Sequence, residues 1–160
     1  MQGFPVAILP IGTEDQMMAG LQQIMAQYSG VAAFIHVHPA FEGFISSEER
    51  QIVKQVFLMV KHLRKALIPN ARFVIATQMD GQLGMSGTPC GAVGGGLIGL
   101  LKTARQEWET VYCRAVDLDP LFSQSEAIDA LLSEFFDPNR RIAEVGRNAA
   151  GRVTLVGVGV

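Results

Sequence analysis

The chain has 160 residues, 49% hydrophobic and 18% charged, with a net charge of −2. This suffices for one domain with a real core, is too apolar for disorder, and offers no basic stripe for nucleic acid. The apolar runs are strand-length and broken by Gly, Pro or charge, so no membrane span is expected. The start Met1-Gln2-Gly3-Phe4-Pro5 lacks a signal peptide's basic and apolar stretches. Two cysteines, Cys90 and Cys113, make neither a disulfide framework nor a zinc site, so the expected setting is a reducing cytoplasm. No repeat, linker or low-complexity tract divides residues 1–160, which read as a single domain.

In chain order, Val6 to Ile11 reads as a short buried strand, followed by a turn. Thr13 is placed to cap the helix "EDQMMAGLQQIMAQY", whose Met17, Leu21, Ile24, Met25 and Tyr28 share one face. "VAAFIHVHP", Val31 to Pro39, is a continuous apolar strand of the kind covered on both faces. Ser47 opens a helix that Pro69-Asn70 stops, Ala71 to Gln78 is a strand, and "MDGQLGMSGTP" is a loop.

Spacing predicts a helix over Leu97 to Trp108, and the glycines before it fall inside its apparent extension. A strand follows over Val111 to Pro120. Ser125 opens "SEAIDALLSEFF", closed by Asp137-Pro138. "RIAEVGR" and "GRVTLVGVGV" pair around "NAAG". Strands alternating with helices predict an α/β fold with a mostly parallel, doubly wound sheet and helices on both faces.

Four groups of residues invite a chemical reading. "CGAVGGGLIG" is glycine-rich, but a dinucleotide fingerprint needs a strand running directly into G-x-G-x-x-G, and here the loop Met79 to Pro89 intervenes. No Lys-Ser ending of a P-loop follows. Glycine within a helix costs about 1 kcal/mol against alanine, so Gly94, Gly96 and Gly99 point to close packing against another backbone. His36 and His38 share one strand face, yet only His62 and scattered carboxylates could complete a metal site, which favours a structural role. Cys90 sits near a helix start, where a thiolate is favoured, without a sequence-adjacent histidine. Asp117 and Asp119 share a strand-end face beside Pro120, as a turn does.

Taken together, these segments resemble the short-chain dehydrogenase/reductase superfamily entered partway through its fold. Val6 to Pro39 resembles the family's third strand, third helix and fourth strand. "VFLMVKHLRKALIPNARFVIATQMDG" resembles its fourth helix and fifth strand. "CGAVGGGLIGLLKTARQEW" and "YCRAVDLDP" resemble its active-site helix and sixth strand. The resemblance implies a serine three residues before Gly81, where Gln78 stands. It implies a tyrosine at Cys90 and a lysine at Gly94. A tyrosine there donates a proton to a nascent alkoxide and the lysine lowers its pKa, which glutamine, cysteine and glycine cannot reproduce. The first two strands, with the glycine-rich cofactor turn, have no counterpart.

A reductase fold that starts at its third strand without its triad is similar to the structural subdomain of ketoreductases in type I polyketide synthases. "TARQEW", "CRAVDLDP" and "RIAEVGRNAAGRVTL" most resemble the ketoreductase region of polyunsaturated fatty acid synthases and related enzymes. The resemblance implies a non-catalytic scaffold with no cofactor or metal of its own. It would pack against an NADPH-dependent catalytic half and serve carrier-bound β-ketoacyl substrates. Val153, Leu155, Val156, Val158 and Val160 would form an apolar strand, covered by that half or by a second copy. The competing readings are a free-standing reductase, a Cys90-based transferase, and a module that binds a carrier domain or other partner.

Overall fold

The computed structural model describes residues 5–9, 12–40 and 47–156. Helix α1 (Glu14–Gln27) leads into strand β1 (Val31–Val37), helix α2 (Ser47–Leu63), strand β2 (Leu67–Thr77) and helix α3 (Ala92–Glu107). Strand β3 (Tyr112–Leu118), helix α4 (Gln124–Phe136), and strands β4 (Glu144–Asn148) and β5 (Gly151–Val153) complete the chain. The sheet order is β1-β2-β3-β4-β5, parallel through β4, with β5 antiparallel. The fold is α/β with helices on both faces, consistent with a Rossmann-like arrangement.

Local chemistry explains the helix starts. Thr13 caps α1 through a reciprocal box with Gln16, and Ser123 caps α4 through one with Glu126. Each box satisfies two amides that would otherwise lack partners, worth about 1 kcal/mol. The cap of α4 is therefore Ser123, two residues before the expected Ser125. Its partner Glu126 selects it, because only Ser123 stands three residues ahead.

Packing fixes the layers. Met17, Val56, Met59, Leu97 and Leu101 bury α1, α2 and α3 against Phe73 and Ile75 on one face. Ala130 of α4 packs on Val74, Ala76, Val116 and Leu118 on the other. The middle strands β2 and β3 are thus covered twice, which accounts for the apolar run Phe73 to Ala76 in β2 and for the burial of every residue of β3, Arg114 and Asp117 included.

The chain steps in one direction from β1 to β4, yet α4 lies opposite α2 and α3. Changing face without changing direction reverses the hand of a crossover. The β3–α4–β4 connection therefore winds opposite to the two before it, an exception to the strong right-handed preference. A charge cluster fastens it. Arg114 on β3, fully buried, donates to Glu134 at 2.7 Å and to the Asn139 carbonyl at 2.7 Å. Arg152 on β5 reaches the same Glu134 at 2.8 Å.

Several sequence expectations need correction. Pro5 to Leu9 forms no strand, and Val6 and Ile8 are 79% and 88% exposed; Pro10 and Ile11 lie outside the described residues. Val6 to Leu9 pair with none of the five strands, although β1 at the sheet edge has one side unpaired among the described residues. β1 itself is an edge strand with Ile35 and Val37 exposed, not a strand covered on both faces.

Helix α2 ends at Leu63, and β2 begins at Leu67, so Pro69 lies inside the strand rather than stopping the helix. The ladder is irregular there: the register shifts between Val31 and Ala33, and Asn70 takes φ 63°. A residue without an amide proton is tolerated in such a stretch. Helix α3 starts at Ala92, earlier than Leu97.

The C-terminal hairpin forms around Asn148 to Gly151 as expected. β5, however, is only three residues long, and just beyond it the Thr154 hydroxyl, not a backbone amide, donates to the Glu144 carbonyl of β4 at 2.9 Å. Of the five apolar residues expected on one strand, only Val153 belongs to it. Leu155 and Val156 are exposed beyond it, and Val158 and Val160 lie outside the described residues.

Candidate functional site

The loop that follows the C-terminal end of β2, one side of α3, Glu144 at the start of β4 and Leu155 beyond β5 surround an open groove of about 370 Å³. Met79, Leu83, Cys90, Gly95, Ile98 and Lys102 are among its lining residues. In parallel α/β sheets, the strand C-termini are where ligands bind.

Asp117, at the end of β3, organises this loop. It is fully buried and accepts hydrogen bonds from the Thr77 hydroxyl at 3.0 Å, the Met79 amide at 2.8 Å and the Leu83 amide at 2.9 Å. Burial pushes its pKa up, while these donors pull against that shift. Asp80 gathers a second set of amides, from Gln82, Gly84 and Ser86, at 2.8 to 2.9 Å. Although burial acts the other way, the donors hold its carboxyl well below the usual range. Both carboxylates are spent on holding the loop.

Asp117 is thus an anchor and not a turn residue, which sequence spacing alone missed. The only available signal was an acidic residue at the end of an apolar strand facing a glycine-rich loop. Asp119 does form the expected turn, accepting from the Leu121 amide at 2.9 Å.

The three positions aligned with the reductase triad lie around the same strand ends but do different work. Gln78 accepts the Ala40 amide at 3.2 Å, joining the segments that follow β2 and β1. Cys90 is exposed before Gly91, the N-cap of α3. Burial raises its pKa, and the carboxylates of Asp80 and Asp117 raise it further. The helix start does not activate this thiol, because two negative charges oppose the thiolate.

Gly94 is buried on the inner side of α3. A Cβ there would stand 2.6 Å from Met79 Sδ and 2.7 Å from its Cγ. Close packing therefore explains Gly94, although the contact is a side chain and not the expected backbone. It does not extend to the other glycines: Gly95 and Gly99 have nothing within 4 Å, and Gly96 meets only Val53 at 3.8 Å. The glycine run follows a folded loop and lies within α3. Its amides from the second turn onward serve the helix, which separates it geometrically from a strand-to-helix phosphate turn.

His36 and His38 lie together on the α2 side of β1, both buried, with ring centroids 6.2 Å apart. Burial, helped by the neighbouring His38, lowers the pKa of His36 to about 4, so the imidazole is neutral near pH 7. Among the described residues no three His, Cys, Asp or Glu side chains cluster as a metal site. Among the described residues, no helix is long and apolar enough to cross a membrane. No protein-family model matches the chain, and a search of curated proteins finds no relative.

Proposed function

We propose that this chain is a non-catalytic structural half of the β-ketoacyl reductase of a multidomain type I polyketide or polyunsaturated fatty acid synthase. In this reading it packs against and stabilises a separate NADPH-dependent half that reduces carrier-bound β-ketoacyl thioesters. The observation that carries the proposal is the burial of Gly94 against Met79. A lysine at that position, which proton transfer in this family requires, would have to displace Met79. Gln78 and Cys90 support the same reading. One is used as a brace, and the other is a thiol whose ionisation the nearby aspartates disfavour.

The residues present do not fit a nicotinamide cofactor. The glycines run through a helix after a long, carboxylate-tied loop, and the two charged residues that line the groove, Lys102 and Glu144, pair with each other at 2.9 Å. The exposed Leu155 and Val156 give the catalytic half an apolar stretch to cover, and a cytoplasmic setting follows from the same reading.

The test has two arms. Calorimetric titration with NADPH is expected to show no binding, and mixing with the catalytic half of such a synthase is expected to raise the melting temperature. A micromolar dissociation constant for NADPH, or two halves that melt independently, would overturn the proposal.

A further inference from the structure

The first connections of the sheet share one geometry. Both β1–α2–β2 and β2–α3–β3 step one strand along the sheet, with the helix on the face of Phe73 and Ile75. Helix α1 buries Met17 on that same face just before β1, yet among the described residues no strand precedes it. A strand on the free side of β1 would give α1 the same step and the same right-handed crossover as its two successors.

The segment before α1 is held against the helix as the strand of such a unit is. Leu9 is partly buried and packs on the main core. A Cβ at Gly20, in the middle of α1, would stand 2.5 Å from Leu9 Cδ1, so the glycine lets the segment approach the helix closely. The Gln55 side-chain amide on α2 donates to the Gly12 carbonyl at 2.6 Å, and Lys54 pairs with Glu14 at 3.3 Å. Three residues separate Leu9 from the cap Thr13, and three separate Gln27 from Val31. Both spacings fall within the about 2–6 residues usual for the connections of a β-α-β unit.

The pattern of the segment matches the free edge. In an extended segment with Leu9 turned toward α1, Val6 and Ile8 fall on the opposite face, and both are exposed. Ile35 and Val37 stand beside Val74 and Ala76 on that same face, exposed by 42% and 59%. Pairing would bring these four aliphatic side chains side by side. The amide of His38 donates to the Ala76 carbonyl at 2.8 Å, so by alternation Ala33, Ile35 and Val37 turn their backbone groups away from β2. β1 contains no proline, lysine, arginine or carboxylate to deter a neighbour. Pro5, without an amide proton, stands where the new strand would begin, a position that tolerates proline.

We infer that residues 6–9 are a strap that closes on the free side of β1 as a sixth, parallel strand and guards that edge against other chains. The covalent connection selects this occupant. A segment tethered through α1 meets β1 at an effective concentration on the order of millimolar, so a second copy would have to displace it. Closure leaves a short strand headed by proline as the new edge, and the opposite edge, β5, is only three residues long. Short edges and proline discourage the addition of a further strand. The strap lies at the opposite edge of the sheet from Leu155 and Val156, so the inference does not depend on the ketoreductase reading.

The test compares the full chain with a variant that combines Ala7→Pro and Ile8→Pro. Adjacent residues of a strand face opposite sides, so in either register one of the two prolines removes an amide that would meet β1. Both positions are exposed and outside any strand or helix, so the fold should persist, which circular dichroism checks. Amide exchange followed by NMR is expected to be slower at Ala33, Ile35 and Val37 in the wild type than in the variant, by about tenfold or more. Sedimentation should show the variant self-associating at lower concentration than the wild type. Equal exchange at those amides in the two proteins would overturn the strap. Wild-type protection that grows with protein concentration would give the edge to a second copy instead. Equal sedimentation would remove the guarding role.

Discussion

Arg114 on β3 and Glu134 on α4 form a buried ion pair at 2.7 Å, with side-chain exposures of 0% and 3%. Glu134 also receives Arg152 at 2.8 Å and lies 3.5 Å from Arg147, so one carboxylate ties three strands to one helix. Removing it takes from the buried Arg114 guanidinium its one fully buried counter-charge, leaving the half-buried Asp137 and the Asn139 carbonyl. Glu134→Ala is expected to cost roughly 3–5 kcal/mol in urea denaturation. A paired Arg114→Met, Glu134→Leu replacement should cost less than the single change. A Glu134→Ala variant within about 1 kcal/mol of wild type would show that the pair does not hold α4 in place.

The helix glycines separate by contact. Gly95→Ala and Gly99→Ala should each stabilise the chain by about 0.5–1 kcal/mol, since an added methyl meets nothing and helix propensity improves. Gly94→Ala should lose that gain through its clash with Met79, and Gly94→Lys should cost about 1–3 kcal/mol. Melting curves for the four variants decide it. Equal effects at positions 94, 95 and 99 would refute the packing account.

Restoring the triad chemistry alone should create no enzyme. Cys90→Tyr combined with Gly94→Lys is expected to leave β-ketoacyl thioester reduction with NADPH at background, because a proton donor is useless without a bound hydride donor. Turnover by that double variant would mean that the scaffold reading is wrong.

The loop after β2 should depend on Asp117. Asp117→Ala leaves the Thr77 hydroxyl and the Met79 and Leu83 amides without their acceptor, costing about 1–3 kcal/mol for each donor left buried. Limited proteolysis should then cut between Gln78 and Gly91 well before the rest of the chain. Cleavage no faster than wild type would argue that the loop is held by other contacts.

Acid should act through His36. Its pKa in the folded chain is lowered to about 4, against about 6.5 unfolded, so between those values the unfolded state binds more protons. The stabilisation is therefore complete above pH 6.5 and lost as pH falls toward 4, by roughly 3 kcal/mol. Denaturation midpoints measured across this range should fall steeply for wild type and less so for His36→Leu. Parallel curves would locate the acid sensitivity elsewhere.

The sequence by itself determined what depends on near neighbours. Thr13 finds Gln16 three residues away, so α1 was legible from its cap onward. The Asn148 to Gly151 turn was equally legible. The apolar run at Phe73 to Ala76 and the mostly apolar stretch Ala115 to Leu118, with Asp117 inside it, mark strands covered on both faces, and their alternation with helices was enough for the α/β class. Only the tertiary structure decided what those runs meet. Val6 to Leu9 and Val31 to Val37 look alike in hydrophobicity, yet one has no ladder and the other is an edge. Gly94 and Gly95 are adjacent and identical, and only the position of Met79 distinguishes them. Asp117 becomes an anchor because a loop more than thirty residues earlier turns its amides toward it. Helix periods and caps are set by contacts a few residues apart. The roles of these residues rest on partners that only the order and hand of the strand connections bring together.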